Sequence, residues 1–72
     1  MNRIEAVLSI IAVEVSNSNH GDFLKSVAKA WQLADPFNKK ILFRAWHEMA
    51  VKYGLYAEYH VEINKHLGEY SK

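Results

Sequence analysis

HGDFLKSVAKAWQLADPFNKKILFRAWHEMAVKYGL, residues 20–55, is the stretch that decides the fold. Its sharpest local signal is Asp35-Pro36. Proline lacks an amide hydrogen and biases the residue before it away from helical backbone. It suits the first position of a new helix, and Asp is a good N-cap in front of it. One helix therefore ends near Leu33 or Ala34, and another begins at Pro36. So short a connection makes the two helices neighbours in an αα-hairpin. Asp35 and Asn38 both serve this junction, Asp35 as cap and Asn38 as the residue that bonds back to it.

Hydrophobic spacing supports helices on both sides of the junction. Upstream, over residues 22–33, Leu24, Val27, Ala28 and Trp31 form a core stripe. Lys25 and Lys29 lie opposite, and Phe23 and Ala30 sit at its margin. Asp22 can cap this helix or sit in its first turn, where a negative charge opposes the dipole. Downstream, over residues 36–53, Leu42, Ala45, Trp46, Met49 and Tyr53 recur at helical intervals. Ile41 joins this stripe on one edge, and Phe43 and Ala50 on the other. Lys40 and Arg44 share the polar face, where Arg44 can pair with Glu48. Gly54 stands where a helix-ending glycine belongs.

Farther out, Ile4, Val7, Leu8, Ile11 and Val15 predict a helix over residues 2–15. Asn2 and Glu5 approach a capping box there. Residues 16–21, rich in Ser and Asn, form a loop in which Asn19 or Gly21 can take positive φ cheaply. Residues 55–70 carry two patterns. Ala57, Tyr59, Val61 and Ile63 alternate with polar residues as a strand would, whereas Leu55, Tyr56, Tyr59, Ile63 and Leu67 share a helix face. The expected fold is one all-α domain over residues 1–72, a bundle of three or four helices around the central hairpin. Its inner side packs Leu24, Val27, Ala28 and Trp31 against Leu42, Ala45, Trp46 and Met49, and the first helix covers it. The alternative is an α+β fold in which the two terminal segments pair as strands.

Composition narrows the function classes. The chain has 72 residues and no cysteine, which excludes disulfides, thiolate metal sites and thiol catalysis. Small scaffolds without such staples rely on oligomerisation or very efficient helix packing. The net charge of +1 gives no strong general attraction to nucleic acid or membrane. Residues 22–44 are locally richer, with five basic groups (Lys25, Lys29, Lys39, Lys40, Arg44) against two acidic ones, a balance of +3. That group is the best nucleic-acid hint in the sequence, although solvated helix faces account for it. No secretory pattern or membrane-spanning run is expected, which points to the cytoplasm.

The four histidines suggest metal binding, yet His60 and His66 are six apart and share no helix face. His47-Glu48 lacks the second His of a zinc-protease helix, since Val51 stands there. No nucleophile elbow or facing carboxylate pair is recognisable. The expectation is therefore no enzyme activity, no metal and no cofactor. The aromatic residues are the more informative excess, because Phe23, Phe37 and Phe43 cannot all be buried in so small a bundle. Exposed apolar patches mark interfaces, and aromatics are enriched at their hot spots. A partner surface is expected around Phe37, Lys40, Phe43 and Arg44, for another protein or for a second copy of the chain.

Four pieces of the sequence carry a resemblance: Gly21-Asp22-Phe23-Leu24, Val27-Ala28-Lys29-Ala30, Ala34-Asp35-Pro36-Phe37-Asn38 and Lys52-Tyr53-Gly54-Leu55. Together they resemble a pattern in short proteins of bacteriophages and related mobile elements, small helical units with an Ala-Asp-x-x-Asn junction. The resemblance covers residues 21–55. It implies a phage origin and a non-catalytic protein that binds and occludes a host protein. A nucleic-acid-binding helical module and a structural homo-oligomer are the alternatives.

Overall fold

The computed structural model describes residues 2–68, and the last two positions of the expected 55–70 segment lie outside them. Five helices follow in order: α1 (Arg3–Ser16), α2 (Asp22–Leu33), α3 (Pro36–Lys52), α4 (Leu55–Glu58) and α5 (His60–Leu67). There is no strand among the described residues, so the α+β alternative does not hold. Both terminal segments are helical, and each buries an apolar stripe in the core.

Local chemistry sets the boundaries. Asn2 caps α1 by accepting from the Glu5 amide at 2.8 Å, and the Glu5 side chain bonds back to complete the capping box. At the hairpin, the Asp35 carboxylate accepts from the Asn38 amide at 2.8 Å, and Pro36 opens α3. Gly54 follows α3 with φ 65°, a left-handed conformation natural to glycine. It is the only positive-φ residue described, so neither Asn19 nor Gly21 takes that role. Instead the loop is tied by side chains, with Asn17 Nδ2 donating to the Val13 carbonyl and Ser18 Oγ to that of Val15. Asp22 lies in the first turn of α2 and Gly21 occupies the cap position. Of the two patterns over 55–70 the helical one holds, but as two short helices divided at Tyr59 (φ −107°, ψ 20°).

The core is built around α1, which packs on α2, α3 and α5 and runs most extensively along α2. It contributes Leu8, Ile11, Ala12 and Val15, which meet Leu24, Ala28 and Trp31 of α2 and Trp46 and Ala50 of α3. Leu55, Tyr59 and Ile63 close the far side. Both tryptophans are wholly buried, and each has a partner for its indole N–H. Trp31 Nε1 donates to Ser9 Oγ at 3.0 Å, and Trp46 Nε1 to the Leu8 carbonyl at 3.0 Å. Ser9, a polar interruption of the apolar run in α1, is thus the acceptor that lets a tryptophan be buried beside it.

One part of the expected core is misplaced. Ala45, Tyr53 and Ile41 were expected inside, yet all three are exposed, and Leu42 and Met49 are half-buried. The inward side of α3 runs through Trp46 and Ala50, with Phe43 against its edge. The reason is that α1 presses on the hairpin from one side. α3 turns the tryptophan side to α1, and its Ile41–Ala45 side is left on the outside.

Candidate interaction surface

The outer side of the α2–α3 hairpin is a long apolar face. At one end Leu33 and Ala30 of α2 and Ile41 and Leu42 of α3 line one recess. Phe37 lies one turn before Ile41, on the same side of α3. At the other end Phe23 of α2 meets Ala45, Met49 and Tyr53 of α3 in a second recess, edged by Glu48 and Lys52. Each recess has an alanine in its lining, Ala30 at one end and Ala45 at the other.

The expected partner residues do not form one cluster. Phe37 lies at the edge of this face, one turn before Ile41, and is strongly exposed. Phe43 is half-buried and points elsewhere, as six residues of helix rotate it about 120° from Phe37. It stacks on His47 with centroids 6.2 Å apart, and His47 Nδ1 shares a 2.8 Å hydrogen bond with the Tyr56 hydroxyl of α4. Lys40 borders a depression with Glu5, Pro36 and Lys39, beside the start of α1. Arg44 is exposed and paired with Glu48 at 2.9 Å, a surface contact worth little.

The basic group is dispersed as well. Lys39 Nζ donates to the Ala34 carbonyl at 2.8 Å, which satisfies the end of α2, and lies 5.4 Å from the centre of the Trp31 ring. Lys25 and Lys29 sit one turn apart on α2, whereas Lys40 and Arg44 belong to α3. Two of the five cations are thus already engaged within the chain.

Polar groups elsewhere mostly fasten the fold. His20 Nε2 lies 3.1 Å from Glu58 Oε2, which ties the first loop to α4, and its ring meets Tyr59 edge-on. Burial raises the Tyr56 hydroxyl pKa. Tyr59 is raised chiefly by burial, with Glu58 and Glu14 adding to the rise and the Ser18 hydroxyl opposing it. Gln32 donates to the Ala12 carbonyl at 3.1 Å and reaches Ser16, a clamp between α2 and α1. Among the described residues no group of three or more His, Asp or Glu comes together as a metal site. No helix among them is long and apolar enough to cross a membrane.

Sequence reasoning missed Leu33, Ile41 and Tyr53 as surface residues and left Phe23 at the margin of the α2 stripe without assigning it to the partner surface. The signal was present in α3, which carries apolar residues on two sides. Ile41 and Ala45 oppose Trp46 and Ala50, more than one stripe needs. Compared with known protein families, with curated proteins and with solved structures, the chain matches none.

Proposed function

We propose that this is a small non-catalytic protein-interaction module that docks a partner through the outer face of the α2–α3 hairpin. Its action is steric: the docked module covers a surface the partner needs for something else. The observation that carries the reading is concentration. Of the nine large apolar side chains exposed on the described surface, four (Phe23, Leu33, Ile41 and Tyr53) line the two recesses of this one face, and Phe37 adjoins it one turn before Ile41. Scattered exposed apolar residues are normal, whereas a contiguous group marks an interface. Phage origin, a host protein as the target and a cytoplasmic site of action belong to this proposal, on the strength of the junction pattern over residues 21–55.

A nucleic-acid module using Lys25, Lys29, Lys39, Lys40 and Arg44 has less support, because Lys39 and Arg44 already have partners in the chain. Affinity capture from a host lysate tests the protein-binding reading. Wild-type protein retains a defined species, Phe37→Asp loses it, and Lys40→Ala keeps it. Retention of the same species by Phe37→Asp removes the outer face from the mechanism. A salt-sensitive shift of duplex DNA at micromolar protein replaces the proposal with the nucleic-acid alternative.

A further inference from the structure

We propose that the recess between the start of α1 and the closing helices α4 and α5 binds a small apolar monocarboxylate, of the size of a short-chain fatty acid. This site lies apart from the outer hairpin face and shares no residue with it. Its test and the capture test above can therefore fail separately.

The recess has a volume of about 250 Å3 and two walls. Arg3, Ile4 and Val7 of α1 form one wall, with Val7 one turn beyond the other two. Tyr56 of α4 and His60, Ile63 and Asn64 of α5 form the other. Ile63 is buried, Val7 and Tyr56 are half-buried, and Ile4 is 46% exposed. The Tyr56 ring is fixed before any ligand arrives. Its hydroxyl shares a 2.8 Å hydrogen bond with His47 Nδ1, and the two rings meet edge-on with centroids 5.7 Å apart. A water-sized group takes about 30 Å3, so the space holds roughly eight of them. Hexanoate, with six carbons and two oxygens, is of that size.

Charge selects the class of ligand. The ionisable cations of this lining are Arg3 and His60, and among the described residues no carboxylate lines it. Four other recesses on the surface differ. Glu48 lies with Lys52 in one, Glu14 with His66 in another and Glu5 with Lys39 and Lys40 in a third, while the fourth has no charged side chain. Among the described residues neither Arg3 nor His60 is taken up in an ion pair. An apolar lining with a few convergent polar groups is the usual make-up of a ligand site. A guanidinium presents parallel N–H donors that match the two oxygens of a carboxylate. The acid's chain lies on Ile4, Val7, Ile63 and the Tyr56 ring. Its carboxylate accepts from Arg3 and His60, both exposed at the rim.

Two-dimensional NMR titration of the full chain tests the proposal, with hexanoate as probe, hexylamine as the control of charge and acetate as the control of chain length. Hexanoate should give saturable shifts at Arg3, Val7, His60 and Asn64, with a Kd of about 1 mM or tighter, the range open to so few atoms. Hexylamine and acetate should each bind at least about tenfold more weakly. Arg3→Gln should weaken hexanoate by about fivefold or more, the loss of a charge-assisted contact at an exposed rim. Ile4→Asp, which puts a carboxylate into the apolar wall, should abolish binding. Spectra of the free variants report that both stay folded. A hexanoate titration that does not saturate by about 20 mM, some twentyfold above the expected Kd, overturns the proposal. Equal affinity for hexylamine, or an unchanged affinity in Arg3→Gln, overturns the class of ligand. Saturable shifts gathered on Phe23, Leu33 and Ile41 instead overturn the site.

Discussion

The two sides of the α2–α3 hairpin are alike in composition and opposite in fate. The inner side carries Leu24, Ala28, Trp31, Trp46 and Ala50, all buried. The outer side carries Phe23, Ala30, Leu33, Phe37, Ile41 and Ala45, all exposed. Both combine aromatic, branched and small residues, so apolar character did not choose between them. What separates them is satisfaction of the indole groups and the position of α1. Each tryptophan N–H must find an acceptor when buried, and α1 offers one to each, Ser9 Oγ and the Leu8 carbonyl. Phenylalanine has no such need and pays no comparable penalty for either location. An inner aromatic is therefore anchored by packing plus a hydrogen bond, whereas an outer one stays available to another molecule.

The largest expected effect comes from exchanging a side chain on each side for alanine. Trp46→Ala should cost about 3–5 kcal/mol, enough to unfold a domain whose total stability is of that order. Phe37→Ala should change the stability of the monomer by no more than about 0.5 kcal/mol. Urea denaturation of both variants at low concentration measures the contrast. Equal losses would mean that the outer face is packed in the monomer, and the distinction between the sides would collapse.

A smaller effect tests the joint that holds the two sides apart. Asp35→Ala removes the acceptor for the Asn38 amide and should cost about 1 kcal/mol. A melting temperature that does not move would refute the role of Asp35 at the hairpin. Asp35→Asn should recover most of the loss, since Asn caps about as well.

The smallest effect belongs to the closing helices on the filled side. Tyr56 and Tyr59 have pKa values raised above the ordinary 10.0, so the folded chain holds these protons more tightly than the unfolded chain does. Their contribution is fully present below pH 10 and is lost as the pH climbs through the folded values. Thermal melts from pH 8 to 11 should show this alkaline loss, and Tyr56→Phe with Tyr59→Phe should flatten it. An unchanged alkaline slope in the double variant would place its origin elsewhere.

Much of the fold was legible because its signals are local. The Asn2-Glu5 box, the Asp35-Pro36 junction and Gly54 each act within a few residues, and all three appear where the sequence placed them. The face of α2 was legible for a related reason: Leu24, Ala28 and Trp31 make one regular stripe, all three are buried, and Val27 flanks them half-buried. α3 was not, because Ile41 and Ala45 compete with Trp46 and Ala50, and periodicity cannot rank two stripes on one helix. The division at Tyr59 was hidden too, since Leu55, Tyr59 and Ile63 fit one helix face equally well on paper.

Sequence by itself therefore determined that the central hairpin is helical, where its helices begin and end, and that the chain holds more large apolar side chains than so short a chain can bury, whereas the two terminal segments stayed open between helix and strand. Tertiary structure alone decided which of them are buried. α1 can cover only one side of the hairpin, and it covers the side where its own backbone and Ser9 can accept from both tryptophans. Phe43 was drawn to the flank by His47 and α4, and Phe37 was left with Leu33 and Ile41 on the open side. The surface that carries the proposed function is thus a remainder, set by where the one long covering helix was able to lie.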